Sequence, residues 1–163
     1  MKESILKGKR ILAVDDEPDV LNVLQEEFKR ASPDCQFDEA VTYERAVKLL
    51  ESKPYDVVIL DIMGVRGFDL LELALSKNIR AAMLTAHALS PETLKRAFEM
   101  RARAYLPKEK LGEIVPFIED VLTHEYLPGW SRIYEKLKGF FDQKFESDWE
   151  KKTGLPWQEW HKL

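Results

Sequence analysis

Residues 56–71 read DVVILDIMGVRGFDLL, and the fold turns on the first six of them. Val57-Val58-Ile59-Leu60 are four consecutive branched or aliphatic residues. They lack the alternation of a half-exposed strand and fit one buried on both faces, as in a parallel sheet. The run ends on an acid, Asp61. A carboxylate at the C-terminal end of such a strand stands at the rim of a sheet, where it either caps the following helix or does chemistry.

Working outward, apolar runs alternate with helix-period segments. Arg10-Ile11-Leu12-Ala13-Val14 is a second buried strand, ending at Asp15-Asp16. Pro18 suits the first turn of a helix that carries Val20, Leu21, Leu24 and Phe28 on one face. A short strand near Cys35–Ala40 follows, then Thr42 as N-cap of a helix with Tyr43, Ala46, Val47 and Leu50 at helical spacing. A helix is expected around Phe68–Ser76 and a strand over Ile79–Thr85. Ser90-Pro91 places an N-cap and a first-turn proline before a helix with Leu94, Ala97 and Phe98 inward. Arg103–Leu106 is a short fifth strand, and a fifth helix spans about Glu113–Thr123, with Pro116 tolerated in its first turn. Five successive βα units imply an α/β fold, a parallel sheet with helices on both faces and right-handed crossovers.

Composition sets broad limits. A length of 163 residues suits one medium domain plus an appendage, and 45% apolar with 33% charged residues fits a folded globular chain. A net charge of −4 argues against nonspecific attraction to nucleic acid or acidic membranes. No apolar run is long enough to span a bilayer, and the start, MKESILKGKR, lacks the apolar segment of a signal peptide. Cys35 has no partner for an internal disulfide and reads as a small buried residue of the second strand. A cytoplasmic protein is expected.

In an open parallel sheet, ligands sit outside the carboxyl ends of the strands. The residues there are Asp15 and Asp16 after the first strand, Asp61 after the third, Thr85 after the fourth, and Lys108 just past the fifth. Singly, each has an unremarkable reading: the acids can favour a helix N-terminus, threonine is at home in a strand, and a lysine is often just solvated. Together they supply one reaction. Three close carboxylates repel unless a hard cation neutralises them, and Mg²⁺ takes such oxygen ligands. Asp61 can then attack a phosphoryl group as a carboxylate nucleophile. Lys108 and the Thr85 hydroxyl would hold the phosphoryl oxygens, with Ala86 small enough to leave room.

The segments ILAVDDEPDV, DVVILDIM, AAMLTA and AYLPK together resemble the receiver domain of two-component response regulators, over about residues 8–122. The resemblance implies a flavodoxin-like (βα)5 doubly wound sheet of order 2-1-3-4-5 for a receiver over 1–122, and it ends before a helical extension expected over 123–163. It implies Asp61 as phosphoacceptor and Mg²⁺ held by Asp16 directly, Asp15 mostly through water, Asp61, and the Met63 backbone carbonyl. It implies Thr85 and Lys108 as phosphoryl ligands and Tyr105 as the aromatic that switches with Thr85. The implied function is Mg²⁺-dependent phosphoryl transfer from a histidine kinase phosphohistidine to Asp61, switching protein–protein interactions. Its partners would be a sensor histidine kinase or a phosphotransfer protein. Such a protein catalyses its own phosphorylation and dephosphorylation without being an enzyme in the usual sense. His87, two residues past Thr85, is a candidate for tuning hydrolysis of the acyl phosphate.

Two other functions fit parts of the pattern. A phosphatase of the haloacid-dehalogenase-like type also uses a strand-end aspartate, but it wants a second acid two residues later, where Met63 stands. A receiver that no longer turns over phosphate would serve as a pure interaction module.

The sequence also departs from the family. Val65 stands where a proline is usual, and Gly67 follows Asp61 by six residues instead of eight, a shortened loop. Glu109 replaces the proline after Lys108, so a trans bond and a shifted lysine are expected there. Arg101 takes a usual glycine position, which implies mild strain. Beyond Thr123, the LPG at 127–129 marks a break, and Tyr134, Leu137, Phe141, Phe145 and Trp149 step along one helix of about twenty residues. Gly154 and Pro156 stop it. Equal numbers of acids and bases in this region make a DNA reader a poor fit. The stripe, with Trp130, Trp157 and Trp160 nearby, packs back on the receiver or forms an interface. Self-association is the expectation, a homodimer through the C-terminal helix or through the face of the fourth helix, fifth strand and fifth helix.

Overall fold

The structure, a computed structural model, describes residues 4–155. Its elements run β1 (Arg10–Val14), α1 (Pro18–Ala31), β2 (Gln36–Ala40), α2 (Tyr43–Ser52), β3 (Val57–Asp61), α3 (Gly67–Ser76), β4 (Arg80–Thr85), α4 (Pro91–Glu99) and β5 (Ala104–Pro107). A 3-10 segment over Lys108–Glu113 leads into α5 (Ile114–Thr123), followed by α6 (Tyr126–Lys144) and α7 (Trp149–Thr153). The sheet is all-parallel in the order β2-β1-β3-β4-β5, the flavodoxin-like arrangement expected.

Local chemistry explains the boundaries. Every residue of β3 is buried, because α1 packs beside α5 on one face of the sheet while α2 packs beside α3 on the other. Each fully buried Val, Ile or Leu there contributes about 1.5–3 kcal/mol relative to exposure. α1 buries Val20, Leu21, Leu24 and Phe28, the face its spacing foretold. Thr42 and Ser90 cap their helices as expected, Thr42 accepting from Arg45 N and Ser90 from Thr93 N. Cys35 is buried, but it precedes β2 rather than belonging to it, with its thiol facing Phe28 O. Among the described residues no helix is long and apolar enough to cross a membrane.

The C-terminal region departs from expectation. LPG is not a break: Leu127, Pro128 and Gly129 form the first turn of α6, and the chain turns earlier, at His124-Glu125. Proline fits there because the first backbone N–H groups of a helix have no intrahelical acceptor to lose. The predicted single helix is in fact two. α6 ends at Lys144, Phe145 is its extended C-cap, and Trp149 opens α7. Gly154 stops α7 in the left-handed region at φ 67°, whereas Pro156, Trp157 and Trp160 lie outside the described residues.

The stripe does not face solvent. Trp130, Tyr134, Leu137, Phe141 and Trp149 are all buried within the monomer, on the side formed by α4, β5 and α5. Among the described residues the stripe on which dimerisation was expected is therefore covered by the chain itself, with Phe145 half-buried. Asp120 of α5 pins the arrangement, its carboxylate pairing with Arg132 at 2.9 Å and Lys136 at 2.6 Å.

Candidate functional site

The parallel register delivers the candidate residues to one rim. Val14 pairs with Leu60, Asp61 with Leu84, and Thr85 with Pro107, so the residues at or just past those ends gather at the carboxyl edge. One carboxylate oxygen from each of Asp15, Asp16 and Asp61 lies within 4.8 Å of the others. Lys108 reaches in from the end of β5: its Nζ stands 2.9 Å from Asp15 Oδ2, 3.4 Å from Asp61 Oδ1 and 3.3 Å from Glu17 Oε1. The lysine is not displaced. All peptide bonds among the described residues are trans, Lys108–Glu109 included, and the 3-10 segment that begins at Lys108 carries the chain onward.

Burial shapes the charges. Asp61 and Asp15 are 4% and 1% exposed. Burial pushes the Asp61 carboxyl up to about 7, the neighbouring Asp15 charge adds to the rise, and the Lys108 ammonium only partly offsets it. Asp15 is likewise raised by burial, against the pull of Lys108 and a hydrogen bond from Glu17 N to its Oδ1. Burial disfavours the Lys108 ammonium, but its pairing with Asp15, Asp61 and Glu17 wins and leaves its pKa above the ordinary value. Asp15 Oδ2 is buried without a hydrogen bond, for Lys108 approaches it off the hydrogen-bonding direction. A buried carboxylate oxygen that is ion-paired but not hydrogen-bonded, beside two further carboxylates, is a donor set suited to a hard divalent cation.

The shortened loop is held by backbone contact. A Cβ on residue 67 would collide with the Asp61 carbonyl oxygen, so only glycine fits the early entry into α3. Gly64, at φ +86°, lies against the Asp16 carboxylate, where a Cβ would also collide. Val65, in the usual proline position, is buried in the core. Arg66, left-handed at φ 56°, caps α3, pairs with Asp69 at 2.9 Å and lies 4.1 Å over the Tyr43 ring. Arg101 is left-handed at φ 72°, the strain its position implied.

Thr85 is buried, and its Oγ1 accepts from Ala88 N at 3.1 Å. Tyr105 is wholly buried, its hydroxyl 2.7 Å from Thr93 Oγ1. The Met63 side chain is 55% exposed, which leaves only its backbone for a role in the site. His87 is exposed, and among the described residues no hydrogen bond ties it to the cluster. Sequence reasoning missed Gly64 and Glu17. Glu17 follows Asp15-Asp16 directly in sequence, the one signal that could have found it, while Gly64 carries no signal beyond being a glycine in a loop.

A family model for the response regulator receiver domain matches residues 11–119. This chain belongs to that family. The receiver is 37% identical over 87 residues to the two-component response regulator ARR18 of Arabidopsis thaliana, and 34% identical over 108 residues to ARR10 of the same plant. Those matches cover 50% and 62% of the receiver chain but only 13% and 19% of the plant proteins' lengths. Among solved structures, a putative response regulator from Chloroflexus aurantiacus superposes with a TM-score of 0.62 at 27% identity, over 72% of this chain and 100% of that one. Response regulator DrrB of Thermotoga maritima gives 0.61 at 21% identity, over 70% and 52%, a likeness of fold alone. The family model ends at residue 119, within α5, and leaves all of α6 and α7 outside it.

Proposed function

We propose that the chain is a phosphorylation-switched receiver over 1–122 with a helical extension over 123–163, and that Asp61 is its phosphoacceptor. The observation that carries this reading is the position of Lys108 Nζ, within 3.4 Å of both Asp61 and Asp15 although the lysine lies 47 residues beyond Asp61 in a different βα unit. The donor would be the phosphohistidine of a histidine kinase or phosphotransfer protein, consistent with a cytoplasmic location.

In the transfer, an Asp61 carboxylate oxygen attacks phosphorus, the P–N bond to the donor imidazole breaks, and its electron pair stays on the ring nitrogen. The product is an acyl phosphate on Asp61. Asp15, Asp16, Asp61 and the Met63 carbonyl would hold Mg²⁺, which supplies neutralisation of the developing charge when bound. Lys108 exchanges part of its pairing with Asp15 for a phosphoryl oxygen, and the Thr85 hydroxyl donates to another. The output we propose for the extension is a change of protein contacts rather than DNA binding. The extension has seven acids against seven lysines and arginines, and its apolar stripe is already engaged.

Incubation with a radiolabelled small phosphodonor and Mg²⁺ tests this. Stable labelling that is lost in Asp61→Asn is the expected result. Repeated turnover of an added phosphoester would indicate a phosphatase instead, and an absence of label would leave a pure interaction module.

A further inference from the structure

α6 and α7 occupy the α4–β5–α5 side through specific contacts rather than loose packing. The Trp130 indole donates to Ala102 O at 2.9 Å, and the Tyr126 hydroxyl donates to Phe98 O. Phe98 of α4 meets the Tyr126 and Trp130 rings at 5.2 and 5.4 Å. Further along, Phe141 lies 6.1 Å from Tyr105 of β5, stacks on Phe145 at 5.1 Å and meets Trp149 edge-on at 5.5 Å. α7, which Trp149 opens, packs against α4.

A continuous set of contacts joins this region to the rim. Thr85 Oγ1 holds Ala88 N at 3.1 Å, and Ala88 O accepts from Thr93 Oγ1 at 2.5 Å. Thr93 Oγ1 is 2.7 Å from the Tyr105 hydroxyl, which also receives Ser90 N at 3.1 Å. The Tyr105 ring then bears on Phe141. Residue 88 thus carries Thr85 on its amide and the Thr93–Tyr105 pair on its carbonyl. Beside this loop, a cleft of about 270 Å³ lies between Leu89, Ser90, Pro91 and Glu92 and the α6–α7 turn at Lys144, Phe145, Glu146 and Lys152.

We infer that the α6–α7 unit is the receiver's own output partner: it is clamped on α4 and β5 in the unphosphorylated chain, and its C-terminal part, from Phe141 through α7, is released when Asp61 is phosphorylated. The inference rests on the phosphoacceptor reading above. Drawing the Thr85 hydroxyl to a phosphoryl oxygen pulls Oγ1 from Ala88 N, shifts residue 88, and disturbs the Thr93–Tyr105 pair on which the Phe141 contact depends. The anchors nearer α5, Asp120 with Arg132 and Lys136, stay in place, so release is a peeling of the far end. Linkage is reciprocal: a weaker clamp must favour the phosphorylated state by the same factor.

The test is hydrogen exchange of the full chain with and without acetyl phosphate and Mg²⁺, with intact mass measured on the same sample to count phosphoryl groups. Amides over 141–153 are expected to exchange faster in the labelled protein by roughly 5- to 150-fold, the usual range of coupling between two sites, with β1, β3 and β4 unchanged. Thr93→Val should accept label and show little of that acceleration, and Phe141→Leu should show faster exchange before any label is added. Label on Asp61 with unchanged exchange over 141–153 would overturn the clamp and leave the phosphoacceptor reading standing. Failure to take label would remove both.

Discussion

Lys108 is closer to Asp15 than to Asp61, 2.9 Å against 3.4 Å. The ammonium lies nearer the Asp15 carboxylate, and it only partly offsets the burial and the Asp15 charge that push the Asp61 carboxyl up to about 7.

The first prediction concerns Asp61 itself. Its folded pKa, about 7, lies above its ordinary 3.8, so the metal-free folded state holds a proton that the unfolded chain gives up between those values. Stability from this group is greatest below that window and falls as pH rises through it. Asp61→Asn removes the penalty and should stabilise the metal-free protein at pH 8 by on the order of 1–2 kcal/mol, discounted for screening at the rim. Chemical denaturation at pH 5 and pH 8 checks this, with the gain smaller at pH 5, where the window has only been entered, and largest at pH 8. Lys108→Met should move the Asp61 midpoint higher still, as followed by carboxyl NMR.

The two loop glycines should fail differently. Gly67→Ala drives a Cβ into the Asp61 backbone and should cost about 1–3 kcal/mol of stability, because backbone must move. Gly64→Ala presses on the Asp16 carboxylate and should weaken Mg²⁺ binding more than it lowers the melting temperature. Paired thermal melts and Mg²⁺ titrations separate the two effects, and equal losses in both variants would contradict the assignment.

Asp120 is buried at 5% exposure and faces Arg132, Lys136 and the His124 ring at 3.7 Å. Asp120→Asn keeps the shape but loses charge-assisted hydrogen bonds, for an expected cost of about 1–2 kcal/mol. Amide exchange over 130–140 should rise with it, while exchange in β3 stays flat.

Alkaline pH should loosen the extension. Burial pushes Tyr126 and Tyr134 up to about 12, with a hydrogen bond to Glu150 adding to the rise at Tyr134. Between pH 10 and 12 the unfolded chain loses these protons while the folded chain keeps them, so stability falls as pH climbs through that window. Tyrosinate absorbance and far-UV circular dichroism should change together, and Tyr126→Phe should shift the transition to higher pH.

The buried strand at 57–60 and the caps at Thr42 and Ser90 were legible because each depends on a local rule: periodicity, or a side-chain oxygen next to a helix start. The rim residues were legible because parallel topology brings strand ends together whatever their separation in sequence. The extension was not. Tyr134, Leu137, Phe141, Phe145 and Trp149 keep a three-four spacing straight through the turn at Phe145, so the pattern cannot show that the chain stops being helical there. Nor can an apolar stripe say what covers it. That Phe141 meets Tyr105 and Trp130 meets Ala102 follows from tertiary packing alone. Gly64 went unread for a similar reason, since its constraint is a neighbour, Asp16, far away in sequence.

Trp130's bond to Ala102 also bears on solubility. An open sheet offers two bare flanks to which a stray strand can add, and natural proteins guard them. On the β5 flank, α6 runs alongside and the indole occupies a carbonyl at the strand's entrance. The opposite flank, β2, carries Asp38 and Glu39, charges that discourage an incoming strand. Detaching α6 would therefore bare an unguarded flank, and a chain cut after α5 should be the form most prone to aggregate.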